Sequence, residues 1–196
     1  MLTFKKFLPF GITGVLALSG VTAAGAAVSA TPAAHHDATV HSLRAKAVKV
    51  RRVAFRGTYK GTIAMLWAAS SVKATSVHGI GTGTLLGKSV MNGTGTAATA
   101  STCDPLSGKG FLAGSGSKLL IKVVSSPKTQ ACAASDSAPT NVTVAGVATV
   151  TGGTGKYLHA TGTLKFQGTF QIKSNAAGSR ESDAFTATLS GVLIIK

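Results

Sequence analysis

Apolar or small residues recur at every second position from Phe55 onward, which is the period of a β-strand with one buried face. The first run places Arg56, Thr58 and Lys60 on the opposite, polar face. Its apolar face is formed by Phe55, Gly57, Tyr59, Gly61, Ile63, Met65 and Trp67. Further strands are expected over residues 72–86, 90–102, 119–123, 142–150, 164–172 and 185–195. Strands of this number, separated by turn residues, predict an all-β domain.

Glycine at alternate strand positions, as at Gly79, Gly81 and Gly83, favours a barrel over a flat sandwich. Glycine inside strands marks sharp bends and close approaches of neighbouring backbones, and a strongly coiled sheet requires both. One helical turn is expected around residues 156–160. We therefore predict that residues 55–196 form a closed antiparallel barrel, whose last two strands lie side by side.

Two segments with other compositions precede the strands. In residues 1–30, Lys5 and Lys6 are followed by an apolar stretch and then by small residues, the pattern of a secretory signal peptide cleaved after Ala30. The apolar stretch is short and interrupted by glycine, so no transmembrane anchor is expected. Residues 31–54 are rich in basic residues and are expected to form a flexible linker. The sequence thus predicts a secreted, extracellular protein, and its Ala- and Gly-rich composition is typical of a bacterial one.

Charge is the most unusual feature of the composition: 20 Lys and Arg stand against 5 Asp and Glu, for a net charge of +15. Such an excess either keeps an extracellular protein soluble or attracts anionic cell-surface polymers. The candidates for polyanion binding are the clustered basic residues Arg44, Lys46, Lys49, Arg51, Arg52 and Arg56. Charge alone favours non-specific association, so no specific nucleic acid is expected as a partner.

Few side chains are arranged for catalysis or metal binding. Cys103 and Cys132 are the only cysteines, and in an exported protein they predict a disulfide rather than a reactive thiol pair. His78 and His159 lack both the Gly-x-Ser-x-Gly elbow of a hydrolase and a third metal ligand. We therefore assign no catalytic residue, metal ligand or cofactor.

Residues 150–164, VTGGTGKYLHATGTL, contain a Gly-Gly-Thr-Gly turn, an aromatic residue two positions later and an Ala-x-Gly step into the next strand. This pattern resembles a recurrent segment of the allene oxide cyclase and dirigent protein group, and the resemblance covers residues 150–196. It implies an eight-stranded antiparallel barrel with a central cavity. Glycine permits the tight turn, and the aromatic residue is placed to close a barrel end. The motif turn consists of Gly152, Gly153, Gly155 and Tyr157.

These observations leave three functions open. The first is a secreted, non-enzymatic barrel that binds a small apolar ligand or serves as a cell-surface or extracellular module. The candidate lining residues are Tyr59, Trp67, Phe166, Phe170 and Phe185. In small barrels, however, aromatic residues also simply fill the core.

The second function, which the resemblance implies, is an isomerase or cyclase on the same scaffold. It requires a polar group buried in the cavity. The acids that follow Phe55 are instead expected in loops and turns; they are Asp104, Asp136, Glu181 and Asp183. The third function is a polyanion-binding surface protein, and the oligomeric state is left open.

Overall fold

The structure is a computed structural model that describes residues 49–196. The predicted signal peptide, its cleavage site and most of the predicted linker lie outside the described residues. Within them the chain forms nine β-strands and one turn of 3₁₀ helix. The strands are β1 (Arg51–Trp67), β2 (Ser71–Gly83), β3 (Gly87–Ala98), β4 (Cys103–Gly114), β5 (Ser117–Val123), β6 (Gln130–Ala133), β7 (Thr140–Thr154), β8 (Thr161–Ile172) and β9 (Arg180–Ile195), and the 3₁₀ helix is Gly155–Tyr157.

The strands close into an antiparallel barrel with eight strand positions, which confirms the predicted fold class. Successive strands pair from β1 to β5 and from β7 to β9, and β5 pairs with β7. The ring is closed by β1 and β9, which pair from Arg51 opposite Ile195 to Leu66 opposite Arg180. The last two strands lie side by side, as predicted.

One position in the ring is shared by two strands. β5 and β6 both lie between β4 and β7 and run in the same direction, each covering a different part of the wall. Thr129 fills the gap between them. Its carbonyl accepts a hydrogen bond from the amide N–H of Leu106 at 3.0 Å, and its hydroxyl accepts one from that of Val147 at 3.4 Å. Gly146 makes this possible because a side chain there would collide with Thr129.

Three strands differ most from the sequence prediction: β1, β4 and β6, of which β6 has only four residues, too few to show an alternation pattern. β1 begins at Arg51, inside the predicted linker, because the apolar end of β9 offers pairing partners at Val192 and Ile195. β4 is not predicted from the sequence, because glycines occupy many of its inward positions and the alternation of apolar and polar side chains is lost. Asp104, expected in a loop, is therefore part of β4 and is only 7% exposed.

The end of the barrel that carries the β2–β3 and β4–β5 hairpins, hereafter the closed end, is filled by a hydrophobic core. This core consists of Phe55, Tyr59, Leu86, Leu112, Leu119, Val150, Tyr157, Ala160, Leu164, Leu189 and Leu193. Tyr157 is 2% exposed, and its hydroxyl donates a hydrogen bond to the carbonyl of Leu85. The motif turn positions the aromatic ring of Tyr157 in this core. Gly155 has a left-handed φ of +58°, and a side chain on Gly153 would overlap the carbonyl oxygen of Lys118.

Inside the barrel, aromatic rings lie over glycines of β2, which is adjacent to β1 with Phe55 and is separated by β1 from β9 with Phe185. A Cβ added to Gly79 would lie 2.9 Å from the ring of Phe185, and one added to Gly83 would lie 3.1 Å from the ring of Phe55. At Gly81 the backbone of β1 leaves no room for a side chain, because an added Cβ would overlap the carbonyl oxygen of Thr58. The pairing of β1 with β2 therefore depends on glycine at this position.

We expect Gly81→Ala to lower the free energy of unfolding by about 1–3 kcal/mol, because β1 and β2 must separate to admit the methyl group. Thr82→Ala, at the next and exposed position, is the matched control and should change that free energy by less than about 0.5 kcal/mol. Urea unfolding followed by circular dichroism measures both. Equal stability of the two variants would show that the sheet tolerates a side chain at Gly81.

Candidate functional site

An internal cavity of about 230 Å³ lies beyond the closed-end core. Three aromatic residues line it, Phe166, Phe170 and Phe185, together with aliphatic side chains such as Met91 and Val144. The space exists because inward positions around it carry no side chain. These positions are Gly93, Gly95, Gly108, Gly110 and Gly168. By the alternation of the described strands, the side chains that face the cavity are apolar.

A second space of about 290 Å³, hereafter the mouth, lies at the other end of the barrel. Cavity and mouth share Met65, Val72 and Phe170 as lining residues, so the two spaces lie next to each other. Trp67 also lines the mouth. A polar rim surrounds it, formed by Thr99, Ser101, Thr102, Asp104, Ser135, Asp136 and Asn175. A ligand entering the barrel meets polar groups first and apolar side chains beyond them.

The acidic side chains of the described residues all lie at the mouth end: Asp104, Asp136, Glu181 and Asp183. Asp104 accepts hydrogen bonds from the amide of Ser101 at 3.0 Å and from its hydroxyl at 3.2 Å, which hold the connection between β3 and β4. Glu181 and Asp183, expected at a turn, lie instead in β9, which begins at Arg180 because β1 extends far enough to pair with it.

Glu181 positions the tryptophan at the mouth. One of its oxygens accepts the indole N–H of Trp67 at 2.8 Å, and the other accepts the amide N–H of Lys173 at 2.8 Å. Asp183 is 5% exposed and forms an ion pair with the exposed Lys173, whose pKa is raised by this hydrogen bond. The second oxygen of Asp183 is buried and has no hydrogen-bond partner among the described residues. Neither carboxylate lines the cavity.

The five aromatic residues predicted to line a ligand site fall into three places. Phe166, Phe170 and Phe185 line the cavity, and Trp67 lines the mouth. Tyr59 lies in the closed-end core instead, where its hydroxyl is 3.1 Å from that of Ser89. The alternation pattern identifies the inward face of a strand but not the height of a residue along the barrel axis, and height decides which rings reach the cavity.

The basic residues predicted to bind polyanions are not all described. Arg44 and Lys46 lie outside the described residues. Lys49 precedes β1, and Arg51, Arg52 and Arg56 lie on β1 at the closed end; all four are exposed. The structure therefore places them at the end of the barrel opposite the acids.

The two histidines considered in the sequence lie apart. His78 is on the outer face of β2, where its Nδ1 is 2.8 Å from the side-chain oxygen of Asn92, and His159 is exposed after the 3₁₀ helix. Within residues 49–196, no three His, Cys, Asp or Glu side chains come together as a metal site. In the same part of the chain, no helix is long and apolar enough to cross a bilayer.

Comparison of the chain with known protein families, curated proteins and solved structures finds no match. The resemblance of residues 150–196 to the allene oxide cyclase and dirigent group therefore stays a prediction.

The predicted disulfide between Cys103 and Cys132 is confirmed. It joins opposite residues of β4 and β6 beside Ala131, which lines the mouth.

Replacing both cysteines by serine should lower the free energy of unfolding by about 3–4 kcal/mol, because the crosslink closes a loop between residues 29 apart. Urea unfolding of this variant and of the oxidised protein measures the loss. Thiol labelling of the unreduced protein should find no free cysteine, and an equally stable variant would contradict the prediction.

Burial raises the pKa of Tyr59 because the charged phenolate is disfavoured in the closed-end core. The neutral phenol therefore stabilises the fold below its ordinary pKa of about 10, and this contribution is lost as the pH rises through the raised value. We expect Tyr59→Phe, which does not ionise, to lose less stability than the wild-type protein between pH 8 and pH 11. Urea unfolding at the two pH values tests this. Parallel losses in both proteins would contradict it.

Proposed function

We propose that this protein is a secreted, non-enzymatic barrel that binds one small apolar or amphipathic ligand in its cavity. The observation that carries the proposal is the apolar cavity, which lies next to a mouth with a polar rim. Its volume of about 230 Å³ is below the range of about 300–1,000 Å³ typical of pockets for drug-sized ligands, so a small ligand is expected. An apolar cavity of this kind favours an apolar guest over water.

The polar rim supports an amphipathic ligand. The apolar part would lie among Phe166, Phe170 and Phe185, and the polar end would remain at the mouth, where hydroxyl groups such as those of Thr102 and Ser135 offer hydrogen bonds. The carboxylate of Asp104 is already engaged by Ser101. Binding would therefore rest mainly on apolar burial, at about 25 cal/mol per Å² of apolar surface removed from water.

An isomerase or cyclase is the alternative on the same scaffold. Such an enzyme needs an acid, base or hydrogen-bond donor beside the reacting atoms. Asp104 and Asp136 stand at the mouth, and the side chains facing the cavity are apolar. This arrangement supports binding over cyclisation.

A variant that fills the cavity tests the proposal. Ala187 on β9 lines the cavity, whereas Ala184 on the same strand is exposed. We expect Ala187→Leu to raise the dissociation constant for 1-octanol by about tenfold or more, because the added carbons take up space the ligand needs. Ala184→Leu is the matched control and should leave it unchanged.

Trp67 provides the readout, since it is the only tryptophan of the chain and lies at the mouth. Quenching or a spectral shift of its emission on addition of 1-octanol reports entry, and calorimetry gives the dissociation constant. If wild-type protein binds no 1-octanol, or if both leucine variants bind it as the wild type does, the cavity is not a ligand site.

A further inference from the structure

A second concave feature lies on the outside of the barrel. It is a groove of about 980 Å³ across the outer faces of β2, β3, β4 and β5. Three exposed lysines line it: Lys73 on β2, Lys109 on β4 and Lys122 on β5. No acidic residue of the described part of the chain is among its lining residues. The groove is therefore both concave and positively charged.

The positions of two of these lysines lower the stability of the fold. Lys109 and Lys122 are direct cross-strand partners in the antiparallel pair of β4 and β5. Like charges directly opposite each other on a sheet are destabilising. Neither lysine forms a salt bridge within residues 49–196, where the one ion pair is between Lys173 and Asp183. An anion bound between Lys109 and Lys122 would relieve this repulsion.

The rest of the lining mixes uncharged polar side chains with apolar ones, among them the aromatic Phe111 and Leu120, which is 41% exposed. The threonines Thr94 and Thr96 and the serine Ser107 lie on the strands between the lysines. Their hydroxyl groups both donate and accept hydrogen bonds. Phe111 lies at the border of the groove, where the ammonium group of Lys118 lies 4.9 Å from the centroid of its ring. The groove thus combines three lysines, several hydroxyl groups and an apolar surface formed by Leu120 and Phe111.

We propose that this groove binds a segment of an acidic polysaccharide, independently of any ligand in the cavity. Sugar carboxylates or sulfates pair with the lysines, sugar hydroxyls bond to the threonines and serine, and an apolar sugar face packs against Leu120 and the part of the Phe111 ring that Lys118 leaves uncovered. A polyphosphate chain would use the lysines alone. A flat bilayer does not reach into a concave groove. The combined lining therefore favours a sugar chain.

The test compares variants of equal net charge. Lys109→Gln/Lys122→Gln removes two charges from the groove, and Lys60→Gln/Lys165→Gln removes two exposed charges from β1 and β8, outside it. Calorimetry with the full chain measures the dissociation constants for polygalacturonate and heparin. We expect the groove variant to bind at least one of them about tenfold more weakly, since charge-assisted hydrogen bonds are lost, and the control to change less than about twofold.

Two further arms identify the ligand class. Phe111→Leu keeps an apolar side chain but removes the ring, and it should weaken binding of the polysaccharide while leaving any binding of inorganic polyphosphate unchanged. Anionic phospholipid vesicles should show no difference between the groove and control variants. Equal losses in the two lysine pairs, absence of polysaccharide binding at low salt, or a Phe111→Leu variant that binds as the wild type does would each overturn the proposal.

A charge reversal separates binding from stability. Lys109→Glu places a carboxylate opposite Lys122, so the thermal midpoint should rise by about 1–3 °C as repulsion becomes attraction. The same variant should bind the polysaccharide at least about tenfold more weakly. A variant that is more stable and binds undiminished would show that the lysine pair does not serve the groove.

Discussion

Closure of the sheet by β1 and β9 is the constraint on which the rest of the structure depends. Their continuous pairing sets the register of the barrel. A shift of this register by one residue would turn every inward side chain of a strand to the outside. A ring of eight strands encloses an interior only wide enough for side chains or one small ligand. Large aromatic side chains such as Phe55 and Phe185 therefore fit only where a nearby strand carries glycine, as β2 does at Gly83 and Gly79.

The positions of aromatic side chains relative to glycines also explain where the cavity and the outer groove lie. Where rings face glycines at the closed end, the interior is filled. On β3 and β4, Gly93, Gly95, Gly108 and Gly110 face inward without a ring to cover all of them, and the cavity remains. The outer groove borders the same four glycines. The two candidate sites thus lie on opposite faces of the same stretch of β3 and β4, and Lys73 and Lys122 line only the outer one.

Sequence alternation predicts those parts of the fold in which side chains carry the pattern. β1 is predicted from Phe55 to Trp67 because each inward position except Gly57 and Gly61 is large and apolar. β4 is not, because Gly108 and Gly110 occupy inward positions and have no side chain to reveal the period. Without β4, the opposition of Lys109 and Lys122 is invisible in the sequence, since it depends on the β4–β5 register. The cavity likewise depends on which strands become neighbours.

The distribution of charge along the barrel has a consequence for its orientation. The closed end carries basic residues from several strands and the 3₁₀ helix: Arg51, Arg52, Arg56, Lys88, Lys118 and Lys156. The acids of the described residues lie at the mouth. This separation gives the barrel an electric dipole moment along its axis. Near an anionic surface, the resulting torque turns the closed end toward the surface and leaves the mouth facing the solvent, within a distance of about 10 Å at 0.1 M salt.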